Sequence, residues 1–317
     1  MASSTTATRF LLFCLLLSAA SATASAARTA RNSTSTASVR RMHEQWMAQH
    51  GRVYKDAAEK ERRFRIFKAN VEYIESANQA GNRLAFPVVL LRHCSQRDRV
   101  SAWYTLGPNR FTDLTNEEFR ASYLGFRPTP RPDAAAQSPF RYANDSMLDS
   151  MDWRSRGAVS PIKDQSDCLA ATEGITKIRT GQLISRSEQE HLDCNNDGYS
   201  CNGGTMDGAF QFIVSNGSLA TKAAYPYRAM QGTCNAAQVS FAATISGYED
   251  PVSVAIDGGD MNFQHYQGGV FTGPCGTDLD HAVTAIRYGT DESSGIKYWL
   301  IKNSWGTTWG EAGFMRI

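Results

Sequence analysis

The order of hydrophobic periods along the chain is what most constrains its fold. In "EKERRFRIFKANVEYIESANQ" (Glu59 to Gln79), Phe64, Phe67, Val71 and Ile74 fall on one stripe of a helix with charges around the rest. Residues 40–80 therefore read as helical. A Pro- and Ala-rich stretch, Arg127 to Phe140, then reads as an exposed linker. Beyond it a second helix is expected from Thr205 to Ser215, with Met206, Ala209, Phe210, Ile213 and Val214 on one face and Asn216–Gly217 as the stop. Strand-like runs follow at Pro251–Ile256, His281–Tyr288 and Lys297–Trp305, separated by Gly-containing turns. Helices first and strands later specify an α+β protein with two segregated halves.

The chain's start bears on its chemistry. Arg9 precedes the apolar run Phe10 to Ala20, and small residues end at Ala24–Ser25–Ala26. That pattern reads as a secretory signal peptide over residues 1–26. The run falls short of the roughly 20 apolar residues that span a bilayer. The mature chain is expected in the secretory pathway, extracellular or in a vacuole or lysosome, with no membrane partner. A net charge of +2 supplies no field for nucleic acid. Of seven cysteines, Cys14 leaves with the leader, and Cys94, Cys168, Cys194, Cys201, Cys234 and Cys275 remain in a compartment that permits disulfides. Asn32, Asn144 and Asn216 begin sequons that could carry glycans.

Few residues offer chemistry. "DCNNDG" (Asp193 to Gly198) opens like a calcium loop, but the twelfth position is Gly204, where a bidentate Glu is needed. Cys194 and Cys201 lack zinc-site spacing, and no G-x-S-x-G element marks a serine hydrolase. No metal or cofactor is expected. Among six histidines, His281 stands out: Asp280 precedes it, an apolar strand follows, and "KNSWG" (Lys302 to Gly306) comes later.

Together these residues resemble a plant-type papain-like cysteine protease precursor. The helix carries an E-x3-R-x3-F-x2-N-x3-I-x3-N signature at Glu59, Arg63, Phe67, Asn70, Ile74 and Asn78. A G-x-N-x-F-x-D element follows at Gly107, Asn109, Phe111 and Asp113. The resemblance implies a pro-region at 27–126 whose inhibitor domain (about 40–125, with an insertion at 83–103) folds onto the catalytic domain and silences it. A linker at 127–148 and a two-subdomain peptidase domain at 149–317, one half helical and one barrel-like, would follow. It further implies that His281 is the catalytic histidine, Asn303 its orienting partner, Trp305 their shield and Gln165 an oxyanion-hole donor. Gly203 and Gly204 would pair with an extended substrate. Met206, Ala255, Leu279 and Ala282 would line an apolar pocket suited to a bulky apolar residue of a peptide substrate. Disulfides Cys168–Cys201 and Cys194–Cys234, and a monomeric state, are implied as well.

The sequence departs from that pattern at the nucleophile. The family signature C-G-[SA]-C-[WY] is reduced here to Cys168 followed by "LAATEGI". In the family the nucleophile opens a helix about ten residues before a Glu-Gly pair. Cys168 lies only five before Glu173–Gly174. On a helix that shift displaces a thiol by about 7 Å and turns it by about 140°, against a hydrogen-bond reach of about 3 Å. Cys168 is the nucleophile only if the preceding loop repairs the register. The segments about Arg83–Trp103 and "GYEDPVSV" also depart, and further strands with a partner for Cys275 are expected after Ile317. A cysteine-type endopeptidase zymogen with impaired catalysis is the expectation. The alternatives are a non-catalytic pseudoprotease, or a pro-region that inhibits related enzymes.

Overall fold

The computed structural model describes residues 35–83, 103–126, 148–163, 181, 185–195, 206–217, 219–228, 230–235, 241–243 and 253–317. The leader, the linker and the insertion lie outside them, as do Gln165, Cys168, Cys201, Gly203 and Gly204. The chain divides into two compact units, one ending at Lys68 and the other beginning at Ala69.

In the first unit, α1 (Thr36–Gln49) and the start of α2 (Ala57–Arg83) pack around buried aromatics. Ser35 caps α1 by accepting from the Ser38 N–H, and the Asp56 carboxylate accepts from Glu59 N–H at 2.8 Å to start α2. The helical expectation for 40–80 thus resolves into two helices, broken where Gly51 takes a φ of 60°. His43 is buried between Trp46 and Tyr54, with ring centroids 6.0 Å away on each side. Glu59 pairs with Arg63 one turn later at 2.8 Å, so two signature residues lock the helix to itself. Neighbouring guanidiniums of Arg62 and Arg63 hold the Glu59 carboxyl down to about 2.

The second unit contains the rest of α2, whose signature asparagines reach outward. Asn70 Nδ2 donates to the carbonyls of Thr112 and Leu114, both at 2.9 Å. Asn78 exchanges two bonds with Leu106, donating to its carbonyl and accepting from its N–H. Leu106 closes β1 (Tyr104–Leu106), which pairs antiparallel with β6 (Tyr266–Gly269). Next comes α3 (Asn116–Tyr123), opened by a capping box between Thr115 and Glu118.

The strand-rich half is a five-stranded sheet. Its path runs β2 (Met151–Asp152), β7 (His281–Thr290), β8 (Lys297–Lys302), β9 (Phe314–Arg316), and β5 (Ser253–Ile256) also pairs with β7. One core holds the α3 region to this sheet. Phe111 and Phe119 are buried with Phe263, Tyr266, Phe271, Val283, Ile301, Trp305, Trp309 and Met315. Phe263 sits on the short helix α6 (Met261–Gln264).

The helical side shows α4 (Glu188–Cys194) and α5 (Met206–Asn216), with β3 (Leu219–Ala220) pairing with β4 (Phe241–Ala243). Cys194 and Cys234 form a disulfide. The neighbouring Asp193 carboxylate accepts from Tyr225 Oη–H (2.8 Å), Gln189 (2.8 Å), Arg228 (2.7 Å) and the Gly232 N–H (2.6 Å). Burial pushes Asp193 up, but these donors outweigh it and hold its carboxyl below the ordinary value. Both oxygens of Asp193, the first position of the calcium-like stretch, are thus engaged by protein donors. No described helix is long and apolar enough to cross a membrane.

Phe119→Ala should cost about 3–5 kcal/mol because the ring is fully buried. Val53→Ala, at 91% exposure, should change stability by less than about 0.5 kcal/mol. Urea titration followed by tryptophan fluorescence measures both.

Candidate active site

His281 is the first residue of β7 and Asn303 directly follows β8, so the antiparallel β7–β8 ladder brings the two together. His281 Nε2–H donates to Asn303 Oδ1 at 2.8 Å. The same oxygen accepts from the Ser304 N–H at 2.8 Å, which fixes the amide. With the proton on Nε2, the lone pair of a neutral ring sits on Nδ1. Both side chains are buried.

Trp305 covers the pair. Its ring stacks on the imidazole with centroids 4.5 Å apart and planes at 22°. Four aromatic edges in turn hold the indole: Phe111, Phe119, Phe263 and Trp309, with centroids 5.0–5.5 Å away and planes at 79–88°. Arg110 adds a hydrogen bond from Nη1 to the Trp305 carbonyl at 3.2 Å. Beyond the indole, the Gly306 N–H donates to the Lys163 carbonyl at 3.0 Å, and Lys163 forms an ion pair with buried Glu188.

The pocket residues expected from sequence divide. Ala255 and Ala282 face each other across the β5–β7 ladder, in the register that also sets Ile256 opposite His281. Leu279 is 37% exposed, two residues before His281. Met206 is the first residue of α5. Gln165, Gly203, Gly204 and the expected Cys168–Cys201 bridge fall outside the described residues. Cys275 is an exposed free thiol. Among the described residues no cluster of His, Cys, Asp or Glu is arranged to hold a metal ion.

Burial pushes the His281 imidazole down to about 4, against the Asn303 bond, which pulls it up. Just before it, burial pushes the Asp280 carboxyl up, while the Gly258 N–H and Arg120 oppose that rise. Sequence reasoning did not find Arg110, Phe119 or Arg120. Each belongs to a segment far from His281 in sequence, and no period or spacing signals such contacts.

Two family models match the chain. One, the papain family cysteine protease, covers residues 147–250 and 241–317. The other, the cathepsin propeptide inhibitor domain, covers 43–119. The senescence-specific cysteine protease SAG39 of Oryza sativa is 49% identical, over 91% of this chain and 87% of its own length. Fruit bromelain of Ananas comosus is 44% identical, over 86% of this chain and 79% of its own. A recombinant stem bromelain precursor superimposes with a TM-score of 0.72 at 42% identity, covering 88% of this chain and 91% of its own. The digestive procathepsin L2 of Tenebrio molitor gives 0.73 at 33% identity, covering 88% and 94%. The chain belongs to the papain family of cysteine proteases and carries that family's propeptide. Its fold is α+β and papain-like.

The low His281 value has a measurable consequence. An unfolded imidazole titrates near 6.5, above the folded value of about 4. The unfolded chain therefore takes the proton first as pH falls. Stability should hold above about pH 6.5 and decline from there toward pH 4. NMR titration of labelled histidine should find the His281 ring neutral at pH 6, and a protonated ring at that pH would mean that burial does not hold its pKa down.

Proposed function

We propose that this chain is the precursor of a papain-like cysteine endopeptidase in which the histidine half of the machinery is built and the nucleophile is displaced. The supporting observation is the His281–Asn303 bond of 2.8 Å beneath Trp305, set against the position of Cys168 only five places before Glu173. In the ordinary reaction a thiolate attacks the peptide carbonyl, and a neighbouring imidazolium keeps the thiol deprotonated. Asn303 would orient the ring. Gln165 and a backbone N–H would stabilise the oxyanion. Gly203 and Gly204 would pair with the substrate backbone. Ala255, Ala282, Leu279 and Met206 would accept a bulky apolar side chain.

Burial alone favours the uncharged imidazole at His281. In this reading the chain enters the secretory pathway through residues 1–26, and residues 27–126 form the pro-region, whose Phe111–Phe119 segment stays packed in the core. Phe111 and Phe119 favour that docked state over a pro-region acting on other enzymes, because both rings are already buried in the chain's own core.

An epoxide or vinyl-sulfone probe for activated thiols separates the possibilities. At acid pH, after removal of the pro-region, Cys168 should remain unlabelled and peptide substrates uncleaved. Stoichiometric labelling of Cys168 would mean that the register is repaired and the enzyme active.

A further inference from the structure

Beside His281 lies a second constructed feature, a socket that holds a guanidinium. Arg120, in the last turn of α3, places Nη2 3.2 Å from Asp280 Oδ2 and 3.3 Å from Asp278 Oδ2. The other Asp280 oxygen, Oδ1, accepts from the Gly258 N–H at 2.8 Å. One carboxylate is thus fixed by backbone, with its free oxygen turned to the cation. The Asp280 side chain is 17% exposed, whereas Asp278 is 80% exposed and forms the outer wall.

Gly259 forms the floor. A methyl group there would lie 1.8 Å from Arg120 Nη1 and 2.4 Å from its Cζ, so the planar group rests directly on a residue without a side chain. Any larger residue would expel it. The adjoining Gly258 lies against His281, where an added carbon would come within 3.0 Å of the His281 Cβ. Socket and imidazole therefore share a wall, and Asp280 precedes His281 in the strand-entry segment. Asp257 and Asp278 add negative charge around Asp280. One cation facing this many carboxylates leaves the site strongly anionic once the cation is withdrawn.

The segment carrying Arg120 is fastened around the same place. The Phe126 N–H donates to the Asp280 carbonyl at 3.0 Å, and Asn116 Nδ2 donates to the Gly259 carbonyl at 3.0 Å. Both bonds join the pro-region to the strip of backbone bordering His281, one at Asp280 and one at Gly259. The pro-region holds in the socket what a passing peptide would offer: a basic side chain projecting from a backbone bonded to the same strip.

We propose that Asp278, Asp280 and the Gly258–Gly259 floor form a recognition subsite for a basic residue, preferentially arginine, of a peptide lying against His281, and that Arg120 is its internal occupant in the precursor. The inference rests on the papain-like reading, in which the pro-region gives way to substrate. Arginine suits the site better than lysine because its flat fork can face two carboxylates while lying on a glycine.

The full-length chain carrying Arg120→Ala tests this without any need for catalysis. N-acetyl-arginine amide is titrated into wild type and variant at constant ionic strength, by calorimetry and by the histidine NMR signals of His281. The variant should bind saturably and at least tenfold more tightly than wild type, with the His281 signals moving. The neutral citrulline analogue should not bind, and adding Asp280→Asn should abolish the effect. Equal binding of arginine and citrulline amides, or no gain over wild type, would overturn the proposal. Arg120→Gln provides a second emptied socket if the alanine variant misfolds. Thiol-probe labelling of Cys168 would overturn the displaced-nucleophile reading and leave this result untouched.

Discussion

Everything near the candidate site depends on the stack of Trp305 on His281. An imidazole buried to this degree has lost its water, and its polar edge is satisfied by Asn303. Its flat face needs an equally flat cover, which the indole provides at a centroid distance of 4.5 Å. Four other rings meet the indole edge-on and hold that plane in the precursor. Two of those rings, Phe111 and Phe119, come from the pro-region and two, Phe263 and Trp309, from the peptidase half. The histidine geometry is thus a product of a core that both parts of the precursor share. Such preorganisation of the His281–Asn303 pair is set by this core and does not depend on the cysteine segment.

The same core explains why the pro-region signature uses the residues it does. Asn70 and Asn78 stand on α2 and satisfy main-chain groups of the segment that carries Phe111 and of β1. Asn109 bonds the Gln264 carbonyl at 2.8 Å, tying that segment to the end of α6. Each is an amide that spans a gap between two backbones, a task for which a hydroxyl is too short and a charge too costly to bury. Gly107 lies against the Gln267 side chain while its N–H donates to the His265 carbonyl. The motif is a set of fasteners that positions two phenylalanines on one tryptophan.

Legibility in the sequence followed the range of the contacts. The helical stripe of Phe64, Phe67, Val71 and Ile74 was visible because it is periodic, and all four are buried. The strands at 281–290 and 297–302 were visible because apolar runs ended in turns. His281, Asn303 and Trp305 were legible through a short local motif that a β-ladder then closes. What was hidden lies across long separations. The β1–β6 pairing joins Tyr104 to Gly269, and the socket joins Arg120 to Asp280. The break at Gly51 was missed because the residues on both sides keep a helical period. Fully buried His265, whose ring burial alone pushes down to about 4, gave no signal at all in sequence.

If pro-region and peptidase half share one core, they should open together. Native-state hydrogen exchange measures this directly by comparing the amides of residues 111–123 with those of β7 and β8. A shared core predicts opening free energies for the two groups that agree within about 1 kcal/mol and fall in parallel with denaturant. Rapid exchange of residues 111–123 while β7 and β8 keep full protection would show that the pro-region only rests on a finished domain, and would contradict the account.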